Sequence, residues 1–180
     1  MPLLNYRILS IVLLFIWLTA CSSAPTATSD FDSSFDFSGV RKIAIQPIDR
    51  GVPASVISSD MQVNRINEAI RGELVRRGFT VVQDNADADL FLAWHLVTQE
   101  RTDVRSFNTS SRYNCWNCGS DIRVRQYTQG TFIVDMIDPV RLQSVWRSIF
   151  EDRIRDLDAE EAAEKRAVVA GALFAEFPPL

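Results

Sequence analysis

The chain has 180 residues, enough for one ordinary domain and too few for two of typical size. Apolar residues make up 47% and charged residues 23%, a balance that argues against a wholly disordered chain and against a multispan membrane protein. The formal net charge of −4 disfavours general nucleic-acid binding. The seven glycines are too widely spaced to form a dinucleotide- or phosphate-binding loop.

Residues 1–20 have the layout of a signal peptide. A single basic residue, Arg7, precedes the apolar stretch 8–18, which is shorter than the roughly 20 residues needed to span a bilayer. The stretch ends in Leu-Thr-Ala-Cys at residues 18–21, which resembles the lipobox of bacterial lipoproteins. The resemblance implies cleavage before Cys21 and lipidation of its sulfur, so that acyl chains hold the protein on a membrane. The alternative is an uncleaved transmembrane anchor with a free Cys21.

The residues after the cysteine predict where the protein goes and how far it stands from the lipid. Ser22, rather than Asp, follows Cys21, and by the sorting rule of Gram-negative lipoproteins this favours the periplasmic face of the outer membrane. Residues 22–29 are small and polar with one proline, so residues 21–29 are interpreted as a lipidated cysteine and flexible tether. We expect residues 30–180 to form a single globular domain close to the lipid surface.

The first half of this domain predicts a strand, a helix and a second strand. Residues 41–48 alternate as a strand, and Pro47 indicates that it ends or lies at an edge there. Residues 59–77 carry one apolar stripe at helical spacing, with Ser59 or Asp60 as cap and Gly78 closing the helix. Residues 79–82 form a short strand.

The second half predicts mostly strands. After an acidic turn at 84–89, residues 90–97 are apolar on both faces, as in an interior strand. Residues 102–121 are expected to be irregular. Strands are predicted at 122–129 and at 131–138, and the latter forms an antiparallel hairpin with 144–152 through a turn at Asp138-Pro139.

The last element is a predicted helix over 159–177, with Asp158 and Glu161 spaced as in a capping box and Pro178 preventing continuation. Its expected core-facing stripe consists of Ala163, Ala167, Ala170, Leu173, Phe174 and Phe177. Together the elements predict an α+β fold: a mainly antiparallel or mixed sheet of about five strands, with two helices packed on one face.

Several short motifs resemble a known family in order and spacing. They are an aspartate–aromatic–aspartate step at 30–32, DFSGVRK at 36–42, ADADL at 86–90, GTFIVD at 130–135, VWR at 145–147 and FPP at 177–179. This pattern is similar to the bacterial lipoproteins of domain-of-unknown-function family 4136. Ser148 stands where the family often has glycine, and the loop around Cys115 departs from its Gly- and Trp-rich pattern. The family has no established activity, so the resemblance implies no catalytic residue.

Cys115 and Cys118 form the most distinctive short chemical motif in the sequence. With Cys21 lipidated they remain an even pair, and in an oxidising periplasm we expect them to form a structural disulfide. The alternatives are reduced thiols without a function, thiol–disulfide redox chemistry and metal binding. Redox chemistry needs the first cysteine at a helix amino terminus, and Gly119 and Ser120 disfavour a helix here.

Other polar residues are assigned structural roles. His95, the only histidine, alternates with apolar residues and is interpreted as a packed or half-exposed strand residue rather than a general base. Asn85, Asp87 and Asp89 imitate the start of a calcium loop but lack its glycine and final glutamate, which favours a solvated turn. Asp135 is expected to face solvent and Asp138 to start the turn.

A basic, aromatic segment supplies the predicted binding site. Residues 101–125 carry five arginines and two aspartates, a net of +3. Arginine and aromatic side chains are the types that anchor interfaces, although a long solvated loop would have the same composition. The predicted binding residues are Arg105, Phe107, Arg112, Tyr113 and Trp116.

The sequence therefore predicts a non-enzymatic envelope lipoprotein whose periplasm-facing domain binds a protein or a cell-envelope component. No catalytic residue, metal site or cofactor is predicted. The expected partners are the membrane, through the acyl chains on Cys21, and a protein or envelope component; no nucleic-acid partner is expected. A thiol–disulfide redox protein and a purely structural lipoprotein are the alternatives.

Overall fold

The computed structural model describes residues 25–48, 59–107 and 121–179, and within them six strands and two helices. The strands are β1 (Thr28–Phe31), β2 (Lys42–Ile45), β3 (Thr80–Val82), β4 (Leu90–Phe107), β5 (Asp121–Asp138) and β6 (Gln143–Arg153); the helices are α1 (Asp60–Arg76) and α2 (Ala159–Leu173). The sheet order is β1-β6-β5-β4-β2-β3. β2 pairs in parallel with β3 and β4, and the other neighbours are antiparallel. The predicted α+β fold with a mixed sheet is confirmed.

The core lies between the helices and one face of the sheet. Leu92 of β4 pairs with Met136 of β5 and is fully buried, whereas the next residue, Ala93, on the opposite face, is only half-buried. The same alternation of buried and half-buried residues runs from Leu90 to Trp94, because successive strand residues point to opposite faces. The core cluster includes Ile70 of α1 and Leu173 of α2. The opposite face of the sheet, called here the open face, carries half-buried apolar residues.

An aromatic cluster joins the two ends of the domain. The indole of Trp146, on β6, stacks on Phe174 at 5.9 Å between ring centroids and meets Phe177 edge-on at 5.0 Å. Phe177 also contacts Phe37 at 6.2 Å and Phe79 at 5.2 Å. Aromatic pairs at these separations add to the stabilisation from burial. Motif residues far apart in the sequence thus form one packed unit.

Helix α1 begins and ends as the sequence predicts. Ser59 Oγ accepts a hydrogen bond from the Gln62 backbone N–H at 3.3 Å, which caps the first turn. At the other end, Gly78 has a φ of 91°, a conformation that favours glycine because it has no Cβ. The buried carboxylate of Glu73 accepts from the guanidinium groups of Arg76 and Arg77, both at 2.6 Å.

Helix α2 has the predicted start but a different end and rotation. The capping box is present: Asp158 accepts from the Glu161 N–H at 2.9 Å, and Glu161 accepts from the Asp158 N–H at 3.3 Å. The helix ends at Leu173 instead of residue 177. Ala163 and Ala167 are exposed whereas Ala170 is buried, so the predicted core-facing stripe is wrong at its first two positions. Larger side chains at the carboxyl end set the rotation because they bury far more apolar area than alanine.

The region from residue 102 onward is more regular than predicted. β4 continues to Phe107 and β5 begins at Asp121, and the two strands stay in register from Phe91↔Ile137 to Phe107↔Asp121. The expectation of irregular structure over 102–107 and at 121 is therefore wrong. Beyond the core, polar residues occupy both faces of the hairpin, so hydrophobic alternation does not reveal the strands.

Two strand boundaries also differ from the prediction. β5 runs unbroken through Gly130, where two strands were expected. A side chain there would meet Ile154, whose Cγ1 lies 3.2 Å from the position of a Cβ, so the glycine allows close approach instead of ending the strand. β1 begins at Thr28 and pairs with β6, so the ordered sheet includes two residues that the sequence placed in the tether.

Among the described residues, no helix combines the length and the apolar character that crossing a bilayer requires.

Candidate functional site

Most residues of the predicted sites lie outside the described ranges. These are the lipidation site Cys21, the cysteine pair Cys115 and Cys118, and Arg112, Tyr113 and Trp116 of the predicted binding loop. Arg105 and Phe107 are in the last three residues of β4, so the loop starts later than predicted. The disulfide, the lipidation and the loop therefore remain predictions.

His95 has the position that the sequence predicts. It lies on β4 opposite Ile133 of β5, half-buried on the open face of the sheet. Its strand neighbours on that face are Ala93 and Val97, both half-buried. This setting agrees with the interpretation of His95 as a packed strand residue.

The acidic turn before β4 ties two strands together. The carboxylate of Asp89 accepts hydrogen bonds from the backbone N–H groups of Arg41 at 2.8 Å and Lys42 at 2.7 Å. These two hydrogen bonds, Lys42 first, hold the pKa of Asp89 below its ordinary value. Asp84 similarly accepts from the Ala86 N–H at 2.9 Å. The exposed turn is therefore a structural connection between β2 and β4, in keeping with the solvated turn that was predicted.

Replacing Asp89 by alanine should lower the free energy of unfolding by about 1–2 kcal/mol at neutral pH, because two strand N–H groups lose a charged acceptor. A folded-state pKa below the unfolded one stabilises the protein above about pH 4, and this is lost as pH falls through the folded-state pKa. The difference between wild type and Asp89→Ala in urea unfolding should thus shrink on acidification. A difference that stays constant down to pH 2 would contradict this role.

The carboxylate of Asp135 does not face solvent, contrary to the prediction. Asp135 is 5% exposed and accepts from Arg147 Nε at 2.7 Å, Arg147 Nη2 at 3.0 Å and Ser144 Oγ at 2.7 Å. The register places Asp135 directly opposite Arg147 across β5 and β6. Asp135 also raises the pKa of Arg147. This ion pair links β5 to β6 and is called here the Asp135–Arg147 clamp. The sequence did not predict it, because cross-strand neighbours depend on register.

Asp138 starts the turn as predicted. Its carboxylate accepts from the Val140 N–H at 2.8 Å and from Arg141 Nε at 2.7 Å, and these donors, the Arg141 side chain first, lower its pKa. Arg141 also reaches Asp32 at 3.2 Å, next to β1. The carboxylates of Asp135 and Asp138 thus bind different arginines, and the two do not form a catalytic pair.

A groove lies between α2 and the sheet and is called here the helix–sheet groove. Its main cavity has a volume of about 470 Å³, within the range typical of ligand sites. A second cavity of about 190 Å³ adjoins it and runs between α1 and α2. The two share the lining residues Leu96, Phe132, Lys165 and Val169. The groove is therefore elongated.

The floor of the groove is apolar, and contacts with residues beneath it fix the position of its Phe132 ring. Phe132 stacks on Trp94 at 5.2 Å between ring centroids, and Trp94 Nε1 donates to Asn67 Oδ1 at 2.8 Å. Phe150 forms the floor at the β6 side. Because these rings are fixed by stacking and hydrogen bonding, the floor is preformed.

The mouth of the groove combines exposed apolar side chains with paired charges. Ile154 is 49%, Leu157 42% and Val168 41% exposed, and all three line the groove. Lys165 forms an ion pair with Asp152 and lies 5.7 Å from the Phe150 ring centroid. Burial raises the pKa of Asp152, but the hydrogen bonds from Lys165 and the Arg153 N–H outweigh it, so the pKa lies below its usual value.

This chemistry suits an apolar ligand or side chain. The lining includes the carboxylates of Asp152, Glu161 and Glu164 but no cysteine or histidine, and within residues 25–48, 59–107 and 121–179 no three potential metal ligands cluster. Clustered exposed apolar residues on a folded surface mark interaction sites. Sequence analysis missed the groove because its lining comes from β4, β5, β6, both helices and the β6–α2 connection.

A mixed sheet backed on one face by two helices, with an open apolar groove between the layers, defines a small α+β domain. The chain belongs to the family described as Domain of unknown function (DUF4136), whose model matches residues 27–179. The resemblance found in the sequence motifs is thereby confirmed. No curated protein matches the chain.

Solved structures are similar to this chain at low identity. A PDZ domain protein from Parabacteroides distasonis has a TM-score of 0.56 at 17% identity, with 87% of this chain and 36% of that chain covered. The chain thus spans about a third of that protein. A DUF4136 family protein from Bacteroides thetaiotaomicron has a TM-score of 0.46 at 11% identity, covering 86% and 96%. A minor lipoprotein from Acinetobacter baumannii gives 0.36 at 8% identity, covering 76% and 91%.

Proposed function

We propose that this protein is a non-enzymatic envelope lipoprotein, lipidated at Cys21, whose periplasm-facing domain binds a protein or envelope component through the helix–sheet groove. The observation that carries the proposal is the groove itself: a preformed aromatic floor beneath three exposed apolar residues. Folded domains expose such a cluster where a partner covers it.

The electrostatics of the groove also favour binding over chemistry. Lys165, which lies 5.7 Å from the Phe150 ring centroid, is paired with Asp152. Arg153 is paired with Asp103 at 3.3 Å, and its guanidinium lies 4.0 Å from the Tyr127 ring centroid. Charges satisfied in this way form a polar rim around an apolar centre, which is the usual arrangement of an interface. The lipid anchor, the outer-membrane location and the contribution of the 105–116 loop belong to the same proposal.

Site-specific photo-crosslinking in intact cells tests this function. The photoreactive residue p-benzoylphenylalanine replaces Leu157 at the groove mouth or, as a matched control, Val140, which is 88% exposed in the β5–β6 turn. We expect a discrete adduct from position 157, lost when Val168→Asp is added, and none from position 140. Equal adducts at both positions, or none at position 157, would contradict groove-mediated binding.

A further inference from the structure

The polypeptide enters the folded domain beside the helix–sheet groove. Thr28, the first residue of β1, pairs with Ile149 of β6, and the next residue of β6, Phe150, forms part of the groove floor. Ala27 packs against the core cluster, and Ser29 Oγ donates to Glu176 just beyond α2. The chain before β1 therefore leaves the domain on the helix side of the sheet, at the level of the groove.

The distance from this point to the lipidation site is short. Six peptide units separate Ala27 from Cys21 and span at most about 21 Å when fully extended. Any acyl chain on Cys21 is thus tied within reach of the groove. A short tether of this kind gives a linked group a high effective concentration at a nearby site.

The chemistry of the groove matches an alkyl chain. The second cavity is lined mostly by aliphatic and aromatic side chains, including Ile66 and Ala69. The main cavity combines apolar side chains such as Val168 with six charged residues: Asp152, Arg153, Arg155, Glu161, Glu164 and Lys165. The charged residues of the second cavity, Lys165 and Arg166, belong to α2. An elongated apolar cavity with charges at its margin accepts a chain of methylene groups and leaves the polar end of that chain in water.

We propose that the helix–sheet groove receives an acyl chain carried on Cys21 of the same molecule whenever that chain is outside a bilayer. The inference rests on the proposed lipidation of Cys21. In water, an alkyl chain gains from burial in proportion to its apolar area, whereas in a membrane the lipid tails offer an equally apolar surrounding. Insertion into a bilayer therefore empties the groove, and only the membrane-inserted protein has it open for a partner.

The test uses the full-length lipidated protein with p-benzoylphenylalanine in place of Val168, irradiated in detergent-free buffer. Mass spectrometry of the digested protein should show residue 168 linked to the acylated Cys21 peptide. The adduct should be lost when the protein is first reconstituted into vesicles of phosphatidylethanolamine and phosphatidylglycerol. The photoreactive residue at Val140 is the matched control and should give no such adduct.

Other outcomes overturn the proposal. They are an adduct with a free lipid, an adduct with Cys21 of a second, isotope-labelled molecule, no adduct, or an adduct that persists unchanged in vesicles. The intact mass of the same sample reports separately whether Cys21 is acylated, which tests the proposed anchor. A chain that is acylated and crosslinks to a partner from Leu157 in cells, yet gives no Cys21 adduct, would support the proposed function and refute this inference.

Discussion

Replacing Trp146 by alanine should lower the free energy of unfolding by about 3–5 kcal/mol, the range observed for deleting a large aromatic side chain from a packed core. Trp146 is 1% exposed and contacts both Phe174 and Phe177, so the substitution leaves a cavity where β6 meets the carboxyl end of α2. Domains of this size are stable by only about 5–15 kcal/mol. Urea unfolding followed by circular dichroism measures the loss.

Conservative substitutions separate volume from hydrogen bonding. Among the described residues, Trp146 Nε1 has no hydrogen-bond acceptor, whereas Trp94 Nε1 donates to Asn67 at 2.8 Å. Trp146→Phe should therefore cost clearly less than Trp146→Ala. Trp94→Phe should cost about 1 kcal/mol more than Trp146→Phe, because it leaves the Asn67 acceptor unpaired. If Trp146→Phe were as damaging as Trp146→Ala, packing volume would not be the cause.

Removing Arg147 should produce the second large effect. Arg147→Ala removes both guanidinium hydrogen bonds from the Asp135 carboxylate, with Ser144 as its remaining side-chain donor. Breaking one side of a buried ion pair typically costs about 3–5 kcal/mol. The Arg147 side chain is 53% exposed, so solvent reaches the pair and we expect about 2–4 kcal/mol. Thermal or urea unfolding of the purified variant measures this.

The reverse substitution is the matched control. Asp135→Asn removes the charge on the buried side and leaves Arg147, which already reaches solvent. We expect this variant to lose less stability than Arg147→Ala. Arg147→Lys should lie between wild type and Arg147→Ala, because lysine keeps the charge but cannot donate two parallel hydrogen bonds. A larger loss for Asp135→Asn than for Arg147→Ala would show that the buried carboxylate is not the source of the cost.

Capping residues in the sequence correctly located three of the helix ends. Ser59 and Gly78 bound α1 as predicted, and the spacing of Asp158 and Glu161 identified the start of α2. These signals are reliable because a cap is made within one turn of the chain. The far end of α2 was overestimated, since Phe174 and Phe177 continue the apolar spacing while the backbone has already left the helix.

The pairing of distant strand residues could not be predicted from such local signals. The outer half of the β4–β5 hairpin was expected to be irregular, and Asp135 was expected to face water, because both depend on which residue lies across the strand. Register is a property of two segments together. The helix–sheet groove depends on even more of the chain, since segments between Ile66 and Leu173 contribute to it.

Periodicity, capping and the order of short motifs were sufficient to predict the α+β class, the helix starts, the turn at Asp138 and the family. Only the folded domain revealed the length of the β4–β5 hairpin, the Asp135–Arg147 clamp and the helix–sheet groove. Burial and cross-strand contact depend on how distant segments pack together, and the order of residues along the chain does not show which distant segments lie close in space.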